Sequence, residues 1–158
     1  MVRERDGALG VEGFGVVRCP RGEALVDRLK RLHDGVRDVV GRHRPDEAAV
    51  ESVFSARSAG SALTLGHARG AVLVAVSGLR LAEYAPRAVK QALTGYGAAE
   101  KTAVARMVAR RLSLEAPPAP VDASDALAVA ICHLDARRAK ARLARARRVP
   151  ASAPGAAR

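Results

Sequence analysis

The chain has 158 residues, enough for one domain with a buried core, and its 27 Lys and Arg against 16 Asp and Glu give a formal charge of +11. The longest apolar run, Ala71 to Val76, falls far short of the ~20 residues that span a bilayer, and the opening MVRERDGALG has no apolar signal core. A cytoplasmic protein with no membrane segment is the expectation. Cys19 and Cys132 are too few and too isolated for a disulfide framework or a zinc site, and Cys132, inside LAVAIC, reads as a small buried hydrophobe.

In chain order, Asp6-Gly7 between Val2–Arg5 and the alternating stretch Leu9–Val17 predicts a hairpin with a short first arm. Leu25, Leu29, Leu32, Val36 and Val39 recur at helical spacing and predict an amphipathic helix ending near His43, before Arg44-Pro45. A strand over Ala48–Phe54 follows, then a helix from about Ser58 to Ser77 with Ala62, Gly66 and Gly70 on one face. Glycine costs about 1 kcal/mol in a helix interior, so this stripe predicts close approach of another backbone, either the chain's own sheet or a second subunit. A strand over Arg80–Tyr84, a helix from Pro86, a Gly-Tyr-Gly turn, a helix from Ala98 to Leu112, the linker EAPPAP and a last helix from Asp122 complete the order. Strands alternating with helices imply an α/β layered domain.

Charge is distributed unevenly. Arg137 to the end holds 8 basic residues and no acid, leaving +3 for everything before it. The predicted division is a domain over 1–136 and a basic, partly disordered tail over 137–158, whose target is nucleic acid or an anionic membrane.

Three acids stand in apolar surroundings: Glu51 in AAVESVF, and Asp122 and Asp125 opening VDASDALAVAICH. An unpaired buried carboxylate is heavily penalised, so the set points to something cationic, a divalent metal above all. The i, i+3 spacing of the two aspartates is also that of a helix N-cap and its N3 partner, and Glu51 alone is equally an acid paired with an arginine. Lys90 and Lys101 are two of only four lysines in an arginine-rich chain; each is a solvated helix cation or a phosphate ligand. Phe54, leaving a strand for the polar SARSAGS loop, is core filler or a platform for a base. GYGAAEKT lacks the glycine before Lys-Thr that a nucleotide-binding loop requires, since Glu100 stands there. The histidines have no ligand-spaced partners, and His133, about 12 Å along the helix from Asp125, is too far to share its ion.

AAVESVFSARSAGSALTLGHARG, VKQALTGYGAAEKTAVARMV and DASDALAVAICH, in this order, resemble the RuvC family of Holliday-junction resolvases from about Gly7 to His133. The resemblance implies a ribonuclease-H-like mixed sheet flanked by helices and a homodimeric endonuclease nicking four-way DNA junctions in recombination and repair. It also implies two Mg²⁺ ions, with Mn²⁺ as the alternative, and RuvA and RuvB as branch-migration partners. By resemblance, Glu51, Asp122 and Asp125 are metal ligands, Lys90 and Lys101 are catalytic and DNA-binding, Phe54 is a wedge at the junction centre, and Arg57 contacts DNA.

The family's first strand, ending in an Ile-Asp-Pro-Gly motif whose aspartate is a central metal ligand, has no counterpart here, and Asp6 belongs to the hairpin turn. The expectation is a chain lacking that central strand, with a start codon assigned too far downstream. The alternative function is a non-catalytic junction-binding or dimerising remnant.

Overall fold

Residues 1–52 and 58–148 are described by the structure, a computed structural model. Asp6 (φ 50°) and Gly7 (φ 81°) both adopt the left-handed conformation that a two-residue hairpin turn demands. They join β1 (Val2–Arg5) to β2 (Ala8–Val11) in antiparallel register, Val2 opposite Val11. The second arm ends at Val11 and not at Val17: beyond the ladder only Glu12 N–H to Met1 O (3.1 Å) and the Met1 amino group to Gly13 O (2.6 Å) continue the pairing. The segment that follows lies over α1 (Leu25–His43), where Gly35 admits Val17: a Cβ at Gly35 would sit 2.7 Å from its methyl carbon. Arg44 (φ 44°) closes α1, its N–H bonded to Val40 O at 2.8 Å.

The parallel pair β3 (Glu47–Glu51) and β4 (Arg80–Tyr84) runs in register from Glu47 opposite Arg80 to Glu51 opposite Tyr84. A last bond from Ser52 N–H to Tyr84 O (2.8 Å) ends the ladder. Glu51 is therefore the final residue of its strand, not an interior one, because β4 offers no partner beyond Tyr84. The crossover helix α2 (Ala59–Ala75) is capped by Ser58, whose Oγ accepts from Ser61 N–H at 3.2 Å. Helix α3 (Pro86–Thr94) starts at a proline and stops at Gly95 (φ 77°); α4 (Lys101–Arg111) and α5 (Val121–Arg148) follow.

The core lies where α3, α4 and α5 meet, around Val89, Leu93, Val104, Val108, Leu127 and Ile131. Val2, Leu9 and Val11 from the hairpin, and Ala49 and Tyr84 from the parallel pair, pack against the same cluster. The predicted α/β layering holds, with one difference: among the described residues no ladder joins the two strand pairs, so α5 is what they share. Arg111 grips Asp135 through two bonds (2.9 and 2.7 Å), fixing α4 to α5, and Arg138 reaches Glu4 (2.7 Å) and Gly7 O (2.8 Å), fixing the hairpin.

The small-residue stripe of α2 is not filled by the chain's own sheet. Among the described residues, a Cβ at Gly66 or Gly70 would meet nothing within 4 Å. Leu63 and Val74 on the same helix are each 62% exposed, and α1, which packs on α2, has no fully buried residue. Helix α5 runs through Arg148, so the first part of the basic tail drawn from residue 137 is helical. No helix among the described residues is long and apolar enough to cross a membrane.

Leu127 and Ile131 are buried at the centre, whereas the buried Ser124 hydroxyl has no hydrogen-bond partner among the described residues. Leu127→Ala and Ile131→Ala should each cost about 2–5 kcal/mol in denaturant unfolding. Ser124→Ala should instead be stabilising by about 1 kcal/mol, because it removes an orphaned hydroxyl; a loss of that size would show that the hydroxyl is paired in solution.

Candidate active site

The end of β3 and the first two turns of α5 form the walls of an open cleft of about 360 Å³. Glu51 comes from the strand, Asp122 and Asp125 from the helix, and Ala49, Val50, Ala126 and Val129 make up the apolar floor. The three acids singled out from the sequence thus share one cleft. Helix periodicity explains the aspartates: the face opposite them carries Ala123, Leu127 and Ile131 into the core, leaving 122, 125, 126 and 129 turned toward β3.

The capping alternative fails on position. α5 begins at Val121, so Asp122 is already inside the first turn, and Asp125 engages Lys101 Nζ at 3.2 Å across to α4. Both partners of that pair are substantially exposed, which makes it a weak tie on its own. The electrostatics of the cleft centre on Glu51. Glu51 is exposed at the end of its strand, not buried; partial desolvation beside the cleft wall pushes its carboxyl pKa up, the like charge of Asp125 adds to the rise, and Lys101 and Lys90 pull it back. Both predicted lysines therefore stand close enough to act on the Glu51 carboxylate. Lys101 is exposed at the start of α4 and Lys90 half-buried on α3.

Glu51 is held from behind as well. Arg69 on α2 donates to Glu51 O (2.7 Å) and pairs with Glu83 (2.6 Å), securing the end of β3 without touching the Glu51 carboxylate. Among the described residues no three His, Cys, Asp or Glu side chains are drawn together tightly enough to chelate one ion. The donor chemistry nonetheless suits a hard divalent cation: oxygen ligands of like charge, facing one another across a cleft, with exposed lysine as the cation at hand. Phe54 and Arg57 lie outside the described residues.

Sequence reasoning missed two participants. Arg69, in LGHARG, reads as one helix arginine among many. His133, set aside as remote, takes part in a half-buried hydrogen-bonded chain with Tyr84 (2.9 Å) and Glu47 (2.7 Å).

The sequence model of the family described as crossover junction endodeoxyribonuclease RuvC matches residues 1–133. A crossover junction endodeoxyribonuclease RuvC of Oleidesulfovibrio alaskensis is 49% identical over 140 residues, 87% of this chain and 83% of the relative. That of Halorhodospira halophila is 50% identical over 127 residues, 79% of this chain and 75% of the relative. Among solved structures, Thermus thermophilus RuvC in complex with Holliday junction substrate is similar at a TM-score of 0.82 and 37% identity, covering 88% of this chain and 86% of that one. The same organism's RuvC without that description gives 0.79 at 37% identity, over 89% and 86%. The ribonuclease-H-like architecture expected from the resemblance is the one these structures share with the chain.

A raised Glu51 pKa has a definite sign in stability. The folded state holds this proton more tightly than the unfolded chain, so stability is highest below the carboxylate range and falls as pH rises through it. Glu51→Gln should therefore raise the melting temperature at neutral pH, but by no more than about 1 °C because water screens the exposed side chain, with the gain vanishing below about pH 4. Calorimetry at both pH values checks this; a lower melting point for the variant at neutral pH would mean that Glu51 is paired, not repelled.

Proposed function

The chain belongs to the crossover junction endodeoxyribonuclease RuvC family, and from that premise we propose that it is a metal-dependent endonuclease that nicks four-way DNA junctions in recombination and repair. The observation that carries the reading is the meeting of Glu51, Asp122 and Asp125 in one cleft beside Lys101 and Lys90. Glu51, Asp122 and Asp125 would hold Mg²⁺, or Mn²⁺ in its place, two ions in the complete family site; ions so placed raise the nucleophilicity of an attacking water and relieve charge on the departing oxygen.

The chain's own groups supply the rest. Lys101 lies at the mouth of the cleft, free to turn from Asp125 toward a non-bridging phosphate oxygen, and Lys90 adds a second positive charge near the same point. Phe54 and Arg57 would meet DNA next to the cleft, Phe54 by stacking on a base at the junction centre. The basic stretch of α5 beyond Arg138 offers Lys140, Arg142, Arg145 and Arg147, all exposed, to the phosphates of a duplex arm. The unfilled stripe of α2, with Leu63 and Val74 exposed beside it, supports a homodimer, because a helix apolar on all sides is normally covered. Cytoplasmic action alongside RuvA and RuvB belongs to the same reading.

Replacing Asp122 or Asp125 by Asn should lower metal-dependent nicking by at least about 100-fold, the scale of several kcal/mol of charge stabilisation, while junction affinity stays near that of the parent. Nicking that survives both changes would remove these acids from the reaction. Truncation after Arg138 should flatten the dependence of log K on log salt by about 0.9 for each phosphate that the arm no longer neutralises. An unchanged slope would exclude the arm, and equal binding to a junction and a linear duplex of the same length would exclude junction recognition.

A further inference from the structure

Two charged couples sit at opposite ends of the same pair of elements. Glu47 and Glu51 are four residues apart on β3, about 13 Å at strand rise. Asp125 and His133 are eight apart on α5, about 12 Å at helix rise. α5 runs antiparallel over β3, so these nearly equal spacings put His133 on Glu47 at one end and Asp125 across the cleft from Glu51 at the other.

The His133 end is tightly specified. His133 Nε2 stands 2.7 Å from Glu47 Oε2 and Nδ1 stands 2.9 Å from Tyr84 Oη. In the neutral ring one arrangement satisfies every partner: Tyr84 O–H donates to Nδ1, and Nε2–H donates to the Glu47 carboxylate. The His133 hydrogen bond is the main influence holding the Glu47 carboxyl pKa down, aided by Arg137 (3.7 Å) on α5 and Arg80 (3.1 Å) on β4. Side chains of His133 and Glu47 are only 12% and 14% exposed, so the chain of bonds is largely shielded from competing water. Tyr84 is itself the ladder partner of Glu51, which ties the relay to both ends of the strand pair.

What this end supplies is longitudinal register. Between its ends, what α5 and β3 turn toward the cleft besides the acids is small and apolar, Ala126 and Val129 from one and Ala49 and Val50 from the other, and attraction between such surfaces has no direction and tolerates sliding. The polar ties of α5 to α4 and to the hairpin, through Arg111 and Arg138, leave its position along β3 unspecified. A slide of one residue is about 1.5 Å on the helix, several times the ~0.2 Å within which metal–oxygen distances must fall. We propose that the Tyr84–His133–Glu47 chain is a positioning element that sets α5 along β3 and thereby fixes Asp122 and Asp125 relative to Glu51. Its structure on the sheet is independent of the metal reading; only its purpose rests on that reading.

The test compares His133→Ala, Tyr84→Phe and the conservative Glu47→Gln, which keeps an oxygen acceptor for Nε2–H, in the full chain. In metal-free protein, methyl and amide NMR should show the perturbation from His133→Ala travelling along α5 to residues 122–126, with the methyl shifts of Ala126 and Ala49 altered. Glu47→Gln should confine its changes to the neighbourhood of residue 47. Mn²⁺ titration followed by electron paramagnetic resonance should show affinity about tenfold weaker in His133→Ala and within about twofold of the parent in Glu47→Gln. Shifts confined to the surroundings of residue 133, with the parent methyl shifts at Ala126 and Ala49, would overturn the proposal. Should His133→Ala fail to fold, Tyr84→Phe, lacking one oxygen, decides by the same two criteria. Failure of the metal reading is visible separately: the parent would then bind no Mn²⁺ that Asp125→Asn abolishes, while the metal-free spectra still decide the register.

Discussion

Because among the described residues no ladder joins the hairpin to the parallel pair, the two are held in one body through the apolar face that α5 turns toward both. Leu127 and Ile131, buried on that face, are where Val2 and Val11 from one side and Ala49 and Tyr84 from the other converge with α3 and α4. Hydrophobic burial of this kind is strong and has no preferred direction. It brings elements together without deciding how far along one another they lie, and the directional bonds at Asp135, Arg138 and His133 make that decision locally.

The cleft depends on the same helix in a second way. Its first turns carry acids where the helix dipole favours them, yet those acids face another acid on the strand, so the site combines a favourable placement with an unfavourable neighbour. Lys101 and Lys90 offset part of the repulsion from positions that leave the mouth open. Full neutralisation by buried arginines would have made a stable ion-pair network and left no appetite for a ligand.

Much of this was legible in the residues. Strand β4 and helix α1 fall where alternation and helical spacing put them, and Asp6-Gly7 makes the predicted turn. The three acids could be grouped because carboxylates in apolar text are conspicuous, though their meeting was supplied by resemblance to a family, not by spacing. β3 ends at Glu51, where its ladder to β4 stops at Tyr84, and Val53 and Phe54, over which the apolar pattern extends the expected strand, lie outside the described residues. For the α2 stripe the residues leave two covers open, the chain's own sheet or a second subunit, since sequence records small residues without recording what covers them. His133 was judged by its distance to Asp125 alone. The relevant comparison was between two distances, Glu47 to Glu51 and Asp125 to His133, and only the antiparallel course of α5 over β3 makes them commensurate.

The floor of the cleft has a consequence for how the chain can vary. Ala126 is exposed and Ala49 half-buried, and by exposure alone either would pass as a position free to drift. Each nevertheless borders the space between the acids, and what it contributes there is the room left by a single methyl group. The constraint at these two alanines is therefore one of volume and not of polarity: a serine or glycine preserves the opening, while a leucine, more hydrophobic and equally at home in a helix, closes it.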